Sequence, residues 1–446
     1  MRIISDLHIH SRYSRACSKD LVPANLDKWA KIKGVNLLGT GDFTHPLWLA
    51  ELKQALEPAE EGFYRLSLPS PSPLPTREGK KQDFPPLVGG IEGGVRFILT
   101  AEVSCIYSQG GRLRRVHHVL VLPSFAAVEK FNNSLLKKNA KLASDGRPIL
   151  GMNSKEVLKY LLDADPQGLM IPAHAWTPYF GIFGSKSGFD SVEECFEDMT
   201  KHIYAFETGL SSDPEMNWRY SDTDKFTIIS SSDAHSLSRI GREANVMDIS
   251  EGEFNYQEFY RIIKEKDASR YKFTVEFFPD EGKYHWDGHA NCQFSCPPSQ
   301  TKKLHGECPN CGKLLTIGVE SRVEKLADRP EGFVPENAIP QKHLVPLEEV
   351  LADCLGLGAK TKTVQDYYWK LIQAAGSEFA VILDMGVGEI TSIGGELVGE
   401  AIKRVREEKV TKIPGYDGVY GIIKIFTDEE RQALGNKITV KQSTLF

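Results

Sequence analysis

The sequence predicts an α/β protein: a seven-stranded (β/α) barrel over residues 1–265, then a small four-cysteine zinc module at 280–325 and a mostly helical region at 330–425. Three observations predict it. Up to about residue 265, short β-rich runs alternate with amphipathic stretches, the rhythm of a parallel sheet with crossover helices. Each run carries a histidine or carboxylate within it or near its C-terminal end, where a barrel gathers its active-site groups into one cup. Of eight cysteines, four lie apart at 17, 105, 195 and 354 and four cluster between 292 and 311, a metal pattern and not a disulfide framework.

With 446 residues the chain exceeds one ordinary domain, and two or three are expected. No apolar run reaches ~18 residues, and Asp6, His8 and His10 interrupt the N-terminal one, so neither a membrane span nor a signal peptide is expected. The expectation is a soluble, cytoplasmic protein. A net charge of −6 gives no global reason to bind nucleic acid, which leaves that task to local basic patches or metals.

The first run, Ile3 to His10, sets Asp6, His8 and His10 on one face of a strand, with Leu7 and Ile9 on the other. Three polar groups on the inner face of an apolar strand are costly unless a metal neutralises and ligates them. The runs Val35–Asp42, Val95–Cys105, Val116–Leu122, Gly168–His174, Ile203–Glu207 and Phe226–His235 follow. They deliver Asp42, Glu102, His117 or His118, His174, Glu207, and the pair Asp233 and His235; closure would set the first run beside the seventh. Residues 25–33, 46–56, 154–162, 193–200 and 256–266 read as helices. The stretch 66–86 breaks the rhythm, because Pro69, Pro71, Pro73, Pro75, Pro85 and Pro86 forbid a helix or central strand; it reads as a surface loop insertion.

After a strand-like run at Tyr271–Phe278 come two cysteine pairs, Cys292 with Cys296 and Cys308 with Cys311. Their spacing lets four thiolates reach one tetrahedral ion, giving a structural zinc that stabilises a module too small for a core of its own. His45, His202, His285, His289, His305 and His343 read as satisfied structural histidines. Helices are expected at 347–355, 364–374, 377–384 and 395–408, with Lys360, Lys362, Lys403, Arg404, Arg406 and Lys409 able to meet a nucleic-acid backbone or to form solvated helix faces. The glycine-rich segment 414–421, with Tyr416 and Tyr420, is a candidate contact loop, and 426–446 reads as a C-terminal tail.

The strand-end set fits zinc, manganese, magnesium or iron, and a bridging carboxylate such as Glu102 would hold two ions close together. Such a centre neutralises charge on a phosphoryl group, which makes hydrolysis of a phosphate ester its natural chemistry.

Asp6-Leu7-His8-Ile9-His10, Gly41-Asp42, Ala101-Glu102, His117-His118-Val119-Leu120, Ala173-His174 and Ser232-Asp233-Ala234-His235 resemble the successive motifs of PHP metallophosphoesterases. The resemblance implies a distorted barrel in which His8, His10, Glu102 and Asp233 bind one metal, and Glu102, His118 and His174 a second. His118 is preferred to His117 on the motif alone. His235 would serve a third ion. Ala16 and Phe43 stand where many members carry histidines, and Asp42 is the first choice to replace them, ahead of Cys17 or His45.

The whole layout resembles PHP repair nucleases that incise DNA 5′ to deaminated bases, implying uracil-, hypoxanthine- or xanthine-containing DNA as partner and Asp233, His8 and His10 as catalytic residues. Trp176, Tyr179 and Phe180, after His174, have the aromatics to stack on an extruded base, or equally to pack in a core. At the end of the chain, Gln442, Leu445 and Phe446 resemble a peptide that binds the replication sliding clamp. The rivals are a small-molecule phosphoesterase of the histidinol-phosphatase kind and a non-catalytic DNA-bound adaptor.

Overall fold

The computed structural model describes residues 1–67, 94–431 and 433. Nearly all of the proline-rich insertion, and Gln442, Leu445 and Phe446 of the tail, lie outside the described residues. Each of the seven expected runs overlaps a strand: β1 (Arg2–Asp6), β2 (Leu37–Gly39), β3 (Arg96–Gln109), β4 (Arg112–Leu122), β5 (Leu169–Pro172), β6 (Ala205–Glu207) and β7 (Thr227–Ile229). β1 pairs in parallel with β2, β2 with β3, and β6 with β7. Beyond β7 the chain returns to the extension of β1, where Ile9 and Ala234 bridge in parallel and the His10 N–H donates to the Ala234 carbonyl at 3.1 Å. Between β5 and β6 the step is made by the Ala175 N–H on the Glu207 carbonyl at 2.8 Å. One apolar cluster takes side chains from all of these strands: Ile3 and Leu7, Leu37, Ile98, Val119, Ile171, Ala205 and Ile229.

The expected parallel rule fails at β4, which runs antiparallel to both β3 and β5. Only Gly110 and Gly111 join β3 to β4, with φ of 61° and 72°. Two central residues at positive φ make the primed turn of a tight hairpin, whereas a parallel crossover needs a dozen residues or more. A further strand that the sequence reading missed, Ala244–Asp248, pairs antiparallel with β1 on its other side. Tyr271–Glu276 and Gln341–His343 continue from it, so the mixed sheet runs on past residue 265.

The C-terminal region is helical as expected, with helices at Leu347–Leu355, Lys362–Ala375 and Glu396–Arg406; Val387–Gly394 is an unexpected addition, and the expected helix at 377–384 is a π-helical turn, Ala380–Asp384. Its apolar faces join the main core through Leu347, Leu371 and Ile402. The buried Lys33 Nζ donates to Glu378 Oε2 at 2.6 Å and ties the two regions. Most of the basic residues that could meet a nucleic-acid backbone or form solvated helix faces pair within the protein. Arg404 pairs with Glu400 and Glu430, Arg406 caps the carbonyls of Val381, Ile382 and Met385, and Lys360, Lys362 and Lys409 pair with Glu348, Asp366 and Glu407. The tail expected from 426 starts inside the packed body, since Phe426 is buried under the Arg404 guanidinium. Among the described residues, no helix is long and apolar enough to cross a membrane.

Candidate metal centre

The site is built around Glu102. Alternation along β3 sends Glu102 to the same face as Ile98, into the space the strands enclose, and there its two oxygens face different partners. Oε2 lies 3.4 Å from His8 Nε2 and 3.3 Å from His10 Nε2. Asp233 Oδ1 completes that group, 3.0 Å from His10 and 3.6 Å from His8. Oε1 lies 2.7 Å from His117 Nδ1 and 3.2 Å from His174 Nε2. The donor atoms of His8, His10, Glu102 and Asp233 all fall within 4.8 Å of one another, as do those of Glu102, His117 and His174.

A carboxylate only accepts hydrogen bonds, which fixes the tautomers around it. His8 Nδ1–H donates to Glu207 at 3.0 Å and His10 Nδ1–H to Asp42 at 3.1 Å, so both Nε2 atoms are aimed into the cup, where His10 Nε2 meets Asp233 Oδ1 and a bound cation would displace the Nε2 protons. This is the orienting arrangement metal-binding histidines use. His8 Nε2 is buried with no hydrogen-bond partner among the described residues. Imidazole nitrogens converging on a shared carboxylate fit two borderline divalent ions.

The electrostatics agree. Burial opposes charge on His8 and His10, yet Glu207, Glu102 and Asp233 around the first, and Asp42, Asp233 and Glu102 around the second, outweigh it and raise both pKa values well above the imidazole range. Glu102 is buried too, but His117, Arg147 and His8 hold its carboxyl well below its ordinary value. The carboxylates of the cup call for positive charge at this spot. Three of its residues, Asp42, His174 and Asp233, also sit at positive φ (49°, 31° and 45°), a strained backbone that only a tightly determined site retains. Gly209 makes room for one of them, since a Cβ there would meet His174 Cβ at 2.4 Å.

Several expected site residues are placed elsewhere. His118 is not in the cup: its Nε2 bonds Ser154 Oγ at 2.8 Å on the far side of β4, and burial pushes its pKa down to about 3. His117 takes its place, because Ser104, on the same face as Glu102, is paired with His117, while Val103 is paired with His118. Asp42 is a buried partner of His10, Ser11 and Ser14, not a member of either donor group. His235 lies beside His10 at the rim, ring centroids 4.6 Å apart, its Nδ1 on the Asp233 carbonyl. Trp176 is a core residue, 1% exposed, donating to Asn217 Oδ1.

Tyr179 and Phe180 do border the cup. They line a cavity of about 430 Å³ together with His117, His174, Asp233 and Arg147. Arg147, Lys283, Tyr284 and Tyr420 of this cavity carry no recognisable motif; only Tyr420, in the candidate contact loop, was signalled in sequence. In the cysteine module, Cys292, Cys308 and Cys311 converge as expected, but the fourth member is His289, with Nδ1 3.5 Å from Cys311 Sγ. Cys296 instead lies 3.3 Å from Thr301 Oγ1, because the hairpin of Asp287–His289 and Phe294–Cys296 turns it into the module's small core.

Residues 346–409 match the family model of the MJ0043 C-terminal domain. Uncharacterized protein YqxK of Bacillus subtilis is 29% identical over 436 residues, 95% of this chain and 99% of that one. Uncharacterized protein MJ0043 of Methanocaldococcus jannaschii is 31% identical over 256 residues, 56% of this chain but 31% of that protein. The crystal structure of the lesion-specific endonuclease PfuEndoQ from Pyrococcus furiosus aligns with a TM-score of 0.80 at 30% identity, covering 97% of this chain and 99% of that one. The chain belongs to the endonuclease Q family. Endonuclease Q in complex with a 27-mer duplex substrate, an abasic lesion at the active site, aligns equally well and over the same shares of both chains. The likeness to endonuclease Q therefore takes in the cup, the cysteine module and the helical region together, and the 346–409 match falls on those helices.

Proposed function

We propose that this chain is a metal-dependent endonuclease that hydrolyses the phosphodiester on the 5′ side of a deaminated base, uracil, hypoxanthine or xanthine, in DNA. The observation that carries the reading is Glu102, whose two oxygens are shared between His8, His10 and Asp233 on one side and His117 and His174 on the other, behind an aromatic cavity that His117, His174 and Asp233 line. His8, His10, Glu102 and Asp233 hold one divalent ion, and Glu102, His117 and His174 a second, within the distorted barrel of the PHP type. Divalent ions there supply positive charge beside the phosphate and lower the pKa of water. The protein's part is to keep the donors in place: Asp42 and Glu207 hold the Nδ1 sides of His10 and His8, so that Nε2 of each would be turned to an ion in the cup. A cavity of about 430 Å³ lies within the size range of small-ligand sites and suits an extruded nucleotide, with Tyr179 and Phe180 offered for stacking. His289, Cys292, Cys308 and Cys311 hold a structural zinc. The clamp reading rests on the residues of the tail alone.

The test is incubation of the metal-replete protein with duplexes carrying uracil, hypoxanthine, xanthine, an abasic site or no lesion. A nick 5′ to the lesion, with any damaged base still attached and the cut abolished by chelation, is the expected result. Hydrolysis of a sugar phosphate with no cut in any duplex would replace this reading by the small-molecule one, and DNA binding without either activity by the adaptor one.

A further inference from the structure

Arg147 reaches the cup from the loop that joins the helix Phe125–Lys137 to the short strand Ile149–Leu150. That loop is pinned on every side. The Gly146 N–H donates to the Tyr13 carbonyl at 3.2 Å and the Ser104 N–H to the Pro148 carbonyl at 3.0 Å, while the Thr44 hydroxyl donates to the Gly146 carbonyl at 3.3 Å. A Cβ at Gly146 would stand 2.3 Å from Asp42 Oδ2, so the backbone under Arg147 is pressed against the carboxylate that orients His10. The guanidinium is thereby delivered to a fixed place, with Nη1 3.1 Å from Glu102 Oε2, the same oxygen that faces His8 and His10.

Among the described residues, that contact is the one hydrogen bond the Arg147 side chain makes. Arginine carries five N–H donors in a rigid planar fork, so donors remain for an anion in the cavity that Arg147 lines with His117, His174 and Asp233. Charge balance favours one. Asp42, Glu102, Glu207 and Asp233 place four negative charges in and around the cup, the amount two divalent ions neutralise. Arg147 then leaves a positive charge facing the cavity, which suits a phosphodiester whose negative charge grows as the bond breaks.

We infer that Arg147 is a catalytic residue that grips the non-bridging oxygens of the scissile phosphodiester and holds it against the cup. The inference rests on the nuclease reading above. The alternative role, a positioning residue that merely neutralises Glu102, makes a different prediction for metal content.

The test uses two lesion duplexes that cannot be cut. In one, a charged methylenephosphonate replaces the scissile linkage, with CH2 in place of the leaving oxygen; in the other, an uncharged methylphosphonate replaces it. Binding of metal-replete full-length protein is measured by fluorescence anisotropy. Wild type is expected to prefer the charged linkage by about 10–100-fold, the strength of a charge-assisted arginine–phosphate contact. Arg147→Ala is expected to keep its metals and thermal midpoint, to lose about 10-fold or more of that preference while the metals retain the remainder, and to lose single-turnover incision of the natural linkage; Arg147→Lys should recover part of the preference. An unchanged preference in Arg147→Ala overturns the inference, as does loss of metal from both variants, which assigns Arg147 to holding Glu102. A wild type that neither binds nor cuts lesion duplexes overturns the nuclease reading and this inference with it.

Discussion

Adjacent histidines on β4 allow a sharp experiment, because the structure gives them opposite faces. His118 is fully buried, its ring against Phe196 and its Nε2 on Ser154 Oγ at 2.8 Å. His118→Ala removes that ring and one hydrogen bond, yet leaves Ser154 Oγ the Tyr107 hydroxyl at 3.2 Å. The cost is then mainly that of a cavity, about 3 kcal/mol, with no ligand lost. His117→Ala instead removes one of the two imidazoles facing Glu102 Oε1. Glu102 keeps Arg147 as a partner, so the damage falls on ion binding and on turnover, by about 10²–10³-fold if it resembles the loss of one stabilising group in other active sites. Thermal melting, metal analysis of the purified variants and single-turnover incision separate the two. The expected pattern is a lower melting point with full metal and turnover for His118→Ala, and a near-normal melting point with one metal and most of the turnover missing for His117→Ala. The reverse pattern would refute the assignment of faces.

Three other outcomes are expected. Cys308→Ser should lose the structural zinc, whereas Cys296→Ser should retain it, as read by zinc content; equal loss would return Cys296 to the ligand set. Although His343 is buried, Asp213 at 3.1 Å and Glu408 at 3.0 Å raise its pKa to about 10, with Glu215, Glu276 and Lys412 the other charged groups near it. Its unfolded value is about 6.5, so this contribution, on the order of a few kcal/mol, is fully present below that pH and is lost as pH rises through about 10; His343→Leu should flatten the fall in stability between pH 7 and pH 10. Removing residues 441–446 should abolish co-elution with a sliding clamp and leave incision of short duplexes unchanged.

Much of the sheet was legible because β-branched runs bounded by turn residues mark strands whatever they pack against, and His8 and His10 were legible because a two-residue repeat keeps one face. Which of His117 and His118 faces inward was not, since β4 is apolar on both faces and hydrophobic alternation is silent there. The decisive signal lies in Gly110-Gly111: a two-residue hairpin turn pairs Gln109 with Arg112, and counting back pairs Ser104 with His117. Cys296 and His289 exchanged roles because cysteine spacing reports reach and not direction, and the hairpin at 287–296 sets direction. Trp176 and Tyr179 stand three residues apart in one loop, but only tertiary packing sends the first into the core and leaves the second at the cavity. Arg147 comes from a loop with no motif, and only the folded chain brings it to Glu102.

In the proposed centre one carboxylate serves two ligand sets, and Glu102→Gln tests this most directly. The amide keeps the shape of the side chain but has one oxygen where the carboxylate has two, so it cannot serve both sets. Metal content and incision of a uracil duplex, measured on the same preparation, should both collapse, with less metal retained than in wild type and cutting reduced by about 10³-fold or more. A Glu102→Gln protein that kept its full complement of metal and cut 5′ to uracil at the wild-type rate would contradict the account.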